Sequence, residues 1–262
     1  MPFGWFNDLV LHFEDEGPAS APALVFVNSL GTDLRIWDKM AAQLRAGWRI
    51  LRYDLRGHGG TPPTAGEYTI DLLVGDLVAL LDAHGIERTS LVGLGLGGAI
   101  AQAFAIRHPG RVDRLMPCCC RAQMVPDFAA MWHKLRDTVR QNGLESIVEQ
   151  TVQRWFSQDF KAAHPEVLDK VRAMIRRTTF EGYLGVTAAF LGLAEEARLH
   201  EIKAPALYVS GGDDKLGGPP ALMAGLAAKV PGARHVSVPN AAHIANIQNP
   251  AGFNKVLEEF LR

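Results

Sequence analysis

The chain has 262 residues, 48% of them hydrophobic, and a formal net charge of -1. That length suffices for one α/β domain carrying an insertion, and the balanced charge without long basic or acidic runs argues against nucleic acid or a membrane surface as partner. No apolar run approaches the roughly 20 residues of a membrane helix. Met1-Pro2-Phe3-Gly4-Trp5 shows no basic region followed by an apolar stretch, so a cytoplasmic location is expected.

In chain order, Leu9-Val10-Leu11-His12-Phe13 predicts an opening strand that turns at Gly17-Pro18. Ala23 to Asn28 is a continuous apolar run of the kind buried on both faces of a parallel sheet. It enters Ser29-Leu30-Gly31-Thr32-Asp33, whose last residues suit the cap of a helix around Ile36 to Leu44. Trp48 to Asp54 predicts the next strand, and Tyr68 to Ala83 carries apolar residues at helical spacing. A strand then leads into Gly93-Leu94-Gly95-Leu96-Gly97-Gly98, followed by an alanine-rich helix and a further strand from Val112 to Cys120. Strands alternating with helices imply a parallel sheet covered on both faces. From about Val125 to Arg198 the pattern is helical throughout, which predicts a cap over the strand ends where ligands bind. Strands resume at Ala206 to Ser210 and Ala233 to Val238, and Ala251 to Phe260 predicts a closing helix. All three cysteines are consecutive, Cys118-Cys119-Cys120, which offers neither a disulfide framework nor a CxxC metal pattern. No cofactor and no metal is expected.

The glycine cluster at 93–98 has the form of a nucleophile elbow, small-x-nucleophile-x-small-small, between a strand and a helix. The small residues let strand and helix approach closely, and the central position adopts a strained positive φ. Here the nucleophile position is Gly95. A glycine-rich dinucleotide turn is the rival reading, but it calls for an acidic residue about 20 residues on at a strand end; Asp113 lies near that spacing at a strand start.

With the elbow, Asn28-Ser29-Leu30-Gly31, Asp54-Leu55-Arg56-Gly57-His58-Gly59, Gly211-Gly212-Asp213-Asp214 and Ala242-His243 in order, the chain resembles the α/β-hydrolase family over nearly its whole length. Within it, the chain resembles the 3-oxoadipate enol-lactonases through Asn28 to Leu34 with Trp37, Leu51-Arg52-Tyr53-Asp54, Arg154-Trp155-Phe156, Glu181-Gly182-Tyr183 and Ala242-His243-Ile244. The resemblance implies an α/β-hydrolase fold with a mainly parallel eight-stranded sheet. Its core would comprise residues 1–124 and 199–262, with a helical cap at 125–198 inserted after the sixth strand. It implies His243 as general base, Asp214 as the acid that orients it (Asp213 being the rival), and the backbone N–H groups of Leu30 and Leu96 as the oxyanion hole. His58 is expected to be structural, in the loop Arg56-Gly57-His58-Gly59 that the family uses to shape the edge of the site. The implied partner is a small ester or lactone, hydrolysed through an acyl-enzyme.

Family members generally carry serine where Gly95 stands, and Asn and Thr where Cys119 and Cys120 stand. Four readings of Gly95 follow: a serine hydrolase deprived of its nucleophile, an enzyme using Cys119 or Cys120 instead, non-covalent chemistry driven by His243, and a ligand-binding pseudoenzyme. A cysteine nucleophile requires a lowered pKa and reach to His243. Trp155, and less so Trp132, are pocket candidates, and Arg121 is the candidate partner for a substrate carboxylate. Oligomeric state is not legible.

Overall fold

The computed structural model describes residues 2–262; Met1, with which the N-terminal reading and the core range begin, lies outside them. Eight strands form one sheet: β1 (Phe3–Phe6), β2 (Leu9–Glu16), β3 (Ala23–Val27), β4 (Arg49–Tyr53), β5 (Thr89–Leu94), β6 (Val112–Cys118), β7 (Leu207–Gly211) and β8 (Arg234–Val238). Their order is β1-β2-β4-β3-β5-β6-β7-β8. The β1–β2 and β2–β4 pairings are antiparallel, and all pairings from β4 to β8 are parallel. The glycine cluster therefore follows a central strand.

Alternation along the strands divides the core into two layers. Val25, Val27 and Leu91 face one layer, built with helices α2 (Ile70–Ala83) and α3 (Leu96–Arg107). Leu24, Phe26 and Val92 face the other, with α1 (Asp38–Leu44) and the C-terminal helix. Trp37 is fully buried there and stacks on Phe26 at 4.8 Å between ring centroids. Between β6 and β7 the chain forms α4 (Pro126–Asn142), α5 (Glu145–Trp155), α6 (Gln158–Ala163), α7 (Pro165–Arg176) and α8 (Phe180–Leu191). After β7 come α9 (Pro220–Ala227), α10 (Ala245–Gln248) and α11 (Pro250–Leu261).

Two local expectations are corrected, and one element is added. The helix expected around Ile36 to Leu44 begins as a 3-10 turn at Leu34–Trp37 and becomes α-helical only at Asp38. Two carboxylates start it: Asp33 accepts from the Arg35 amide at 3.1 Å, and Asp54 from the Leu34 amide at 2.6 Å. The strand expected to reach Cys120 stops at Cys118, because Cys119 turns into the left-handed region at φ 46°. Phe3–Phe6, which precedes the expected opening strand and carries no expected element, pairs with β2 as an edge strand.

Candidate active site

The elbow is built as the glycines require. Gly95 sits at φ 56° and ψ -118°, at the N-terminus of α3, with its N–H donating to the Cys118 carbonyl at 2.9 Å. Gly97 faces the backbone of β3, where a Cβ would collide with the carbonyl oxygens of Val27 and Asn28. A side chain at residue 95 would open toward the cavity. Its Cβ would sit 3.5 Å from His243 Nε2 and 3.3 Å from Ser29 Cβ, and closer still to Ser29 Oγ.

His243 lies after β8 and is buried. Its Nδ1 is 3.1 Å from Asp214 Oδ2, and its backbone N–H donates to the Trp155 carbonyl at the end of α5. Asp214 is itself buried, and it accepts from the N–H groups of Leu216, Gly217 and Gly218 at 2.9, 3.1 and 2.9 Å. Burial works against its charge, but His243 and the backbone N–H groups outweigh burial and hold its pKa down at about 2. Asp213, one residue earlier, is exposed, and its backbone N–H bonds to the Ala241 carbonyl. The Asp214–His243 pair therefore presents Nε2 toward the elbow, the arrangement of a carboxylate-oriented base.

Leu30 and Leu96 line the same cavity, and neither backbone N–H has a protein partner among the described residues. The turn presenting Leu30 is held from behind. The Ser29 carbonyl accepts from Thr32 N–H at 3.1 Å and Thr32 Oγ1 at 2.8 Å, and Asn28 Nδ2 donates to the Tyr53 carbonyl at 2.7 Å. Two fixed donors beside a base suit a developing oxyanion.

Both Cys119 and Cys120 reach the cavity wall but are fully or almost fully buried. Burial and the neighbouring Asp214 charge push both thiols up, at Cys120 against the opposing charge of Arg121. Cys119 Sγ accepts from the Gly211 N–H and Cys120 Sγ from Gln102 Nε2, each at 3.3 Å. Burial thus works against the lowered pKa that a cysteine nucleophile requires. Cys119, Asp214 and His243 do gather their donor atoms within 4.8 Å, among the described residues. The set fits a metal poorly: the Asp214 oxygens are already engaged by three amides and His243, and the thiol resists deprotonation.

Arg121 and Trp155 line the cavity. The Arg121 guanidinium donates to the Leu216 carbonyl at 3.0 Å and lies 3.9 Å from the centroid of Phe128. Its buried Nε has no partner, and burial lowers its pKa. Two residues given no part in recognition stand beside it. Among the described residues Arg154 meets only Met131 Sδ, at 3.6 Å, and its buried Nε has no partner. Tyr183 leaves a buried hydroxyl unpartnered. Arg154 and Tyr183 belong to segments that carry the family resemblance, and what sets them apart in the fold is a cavity-lining polar atom that is buried and unpartnered among the described residues. His58 is fully buried away from the cavity, with Nδ1 3.0 Å from the Arg56 carbonyl.

The sequence profile of the family described as alpha/beta hydrolase fold matches residues 22–250. The chain is 30% identical to 3-oxoadipate enol-lactonase 2 of Acinetobacter baylyi, over 98% of this chain and 94% of that protein. Among solved structures it resembles the enol-lactonase from Burkholderia xenovorans LB400, with a TM-score of 0.95 and 35% identity over 99% of both chains. It also resembles a thermophilic esterase from Thermogutta terrifontis, in a malate-bound structure, with a TM-score of 0.91 and 27% identity over 97% of this chain and 93% of that one. No helix among the described residues is long and apolar enough to cross a membrane. The two antiparallel strands at one edge, the parallel run around a glycine elbow, and the acid-base pair meeting that elbow come with this match across most of the sequence: the chain belongs to the α/β-hydrolase family.

Proposed function

We propose that this chain is an ester- or lactone-binding site of the enol-lactonase type, complete except for the nucleophile at residue 95, and shaped for a ligand that carries a carboxylate. In the full mechanism a hydroxyl at residue 95 attacks the acyl carbon while His243 takes its proton. Asp214 holds the imidazole, and Leu30 and Leu96 stabilise the oxyanion. His243 then returns the proton to the leaving oxygen, and water releases the acyl group. The observation that carries this reading is the constellation around Gly95: a Cβ there would lie 3.5 Å from His243 Nε2, in a cavity lined by Leu30 and Leu96, whose amides have no protein partner among the described residues.

The acidic ligand is supported by Arg121 and Arg154, which line the cavity and make no ion pair among the described residues. A carboxylate from an enol-lactone would supply the missing acceptor. Losing a triad serine costs about a million-fold in rate, leaving roughly a thousand-fold over water from binding and the oxyanion hole. Hydrolysis by the Gly95 chain should therefore be slow.

Gly95→Ser tests the reading on a panel of enol-lactones and small activated esters. A rise of several orders of magnitude supports a serine-hydrolase site. A variant that stays inert while acidic ligands bind tightly favours the ligand-binding alternative.

A further inference from the structure

We propose that Ser29 takes over the nucleophile's role in this chain: its hydroxyl is the nearest group to the point where a side chain at residue 95 would begin, a point 3.5 Å from His243 Nε2, and it adjoins the Leu30 amide. This rests on the ester and lactone reading above and concerns how the slow reaction proceeds without a side chain at 95. Of the atoms around the Cβ position of residue 95, the three nearest are Ser29 Oγ, Ser29 Cβ and His243 Nε2. No thiol or other hydroxyl comes as close. Ser29 is buried yet lines the cavity, and its Oγ makes no hydrogen bond to the protein among the described residues. Its carbonyl, by contrast, is pinned twice by Thr32, so the hydroxyl is free to turn while the backbone stays in place.

The chemistry balances with the groups present. Ser29 Oγ bonds to the acyl carbon and gives its proton to His243 Nε2. The ester or lactone C–O bond breaks, and the leaving oxygen takes that proton. Water, deprotonated by the same imidazole, then cleaves the Ser29 ester and restores the hydroxyl. The negative charge on the carbonyl oxygen develops next to the N–H groups of Leu30 and Leu96, the former on the residue adjoining Ser29. Hydrogen bonds between catalytic groups are commonly long without substrate and tighten around it.

The test uses the full chain with a fluorophosphonate probe and with p-nitrophenyl acetate, followed by peptide mass mapping. The expected result is an adduct on Ser29 in the unaltered chain, a shift of that adduct to position 95 in Gly95→Ser, and a fall of about tenfold or more in residual ester hydrolysis in Ser29→Ala. Adducts on Cys119 or Cys120, or residual hydrolysis that proceeds at the same rate in Ser29→Ala with Ser29 unmodified, overturn the assignment. Mapping the unaltered chain requires no variant to fold. If Gly95→Ser gains hydrolysis but the unaltered chain carries no adduct at Ser29, only this assignment fails. If Ser29 is acylated and Gly95→Ser gains nothing, the assignment stands and the restored-serine reading fails.

Discussion

Asp214 accepts three backbone N–H groups and faces His243, whereas elsewhere around the same cavity the Nε atoms of Arg121 and Arg154 and the Tyr183 hydroxyl meet no acceptor among the described residues. Both regions are buried, so both should be costly to leave unpaired. The difference separates two tasks. The wall carrying the acid-base pair is finished by the protein itself, which keeps the imidazole in one orientation before any ligand arrives. The two guanidiniums and the Tyr183 hydroxyl retain unspent hydrogen-bonding capacity, which the acidic ligand proposed above would use.

The contrast breaks most visibly at Gly95. Gly95→Ser is expected to raise hydrolysis of a suitable ester or lactone by several orders of magnitude, followed in a continuous assay. Ser29 must turn its hydroxyl aside to admit the new side chain, a rotation available to a short flexible group. A smaller effect is expected at Arg154. Arg154→Leu should weaken binding of a carboxylate-bearing lactone by about 10- to 100-fold, read by calorimetric titration, because a charge-assisted hydrogen bond is worth about 1.5–3 kcal/mol. The melting temperature should hold or rise, since the side chain gives up no carboxylate partner.

Asp214 should show the reverse behaviour. Its pKa falls from an ordinary 3.8 to about 2 in the folded chain, so its carboxylate stabilises the fold above pH 4 and loses that contribution as pH drops through about 2. Asp214→Asn is therefore expected to cost about 2 kcal/mol at neutral pH. The deficit relative to the unaltered chain should shrink toward pH 2, which denaturant titrations at several pH values would reveal. Tyr183→Phe, which removes an unpartnered hydroxyl, should be neutral or stabilise by up to about 1 kcal/mol in the same measurement.

The finished wall was far more legible than the unfinished one. Position 95 and the order of Asp214 and His243 are written in short segments, because a strand-turn-helix needs its glycines within a few residues. The central strands could be read for the same reason: Ala23–Val27 is apolar at every position, as burial on both faces demands. Phe3–Phe6 escaped because an edge strand is exposed on alternate residues, with Phe3 and Trp5 turned to solvent. The place of Ser29 beside the elbow depends on two loops, 66 positions apart in the chain, meeting across β3 and β5, and no local pattern encodes that approach. Arg154 poses the same difficulty. An arginine on a cap helix reads as a solvated charge until the fold shows that no carboxylate accompanies it.

The bond from the His243 amide to the Trp155 carbonyl has a mechanical consequence. Trp155 is the last residue of α5, and the next residue after His243, Ile244, donates its own N–H to the same oxygen. The end of that helix and the backbone of the base are thus riveted together. A displacement of α5 large enough to admit a ligand would drag the imidazole off its alignment with Asp214 or shear both bonds. Traffic into the cavity is therefore least costly where the wall can part without pulling on this rivet, and the alignment of the base is insulated from such breathing.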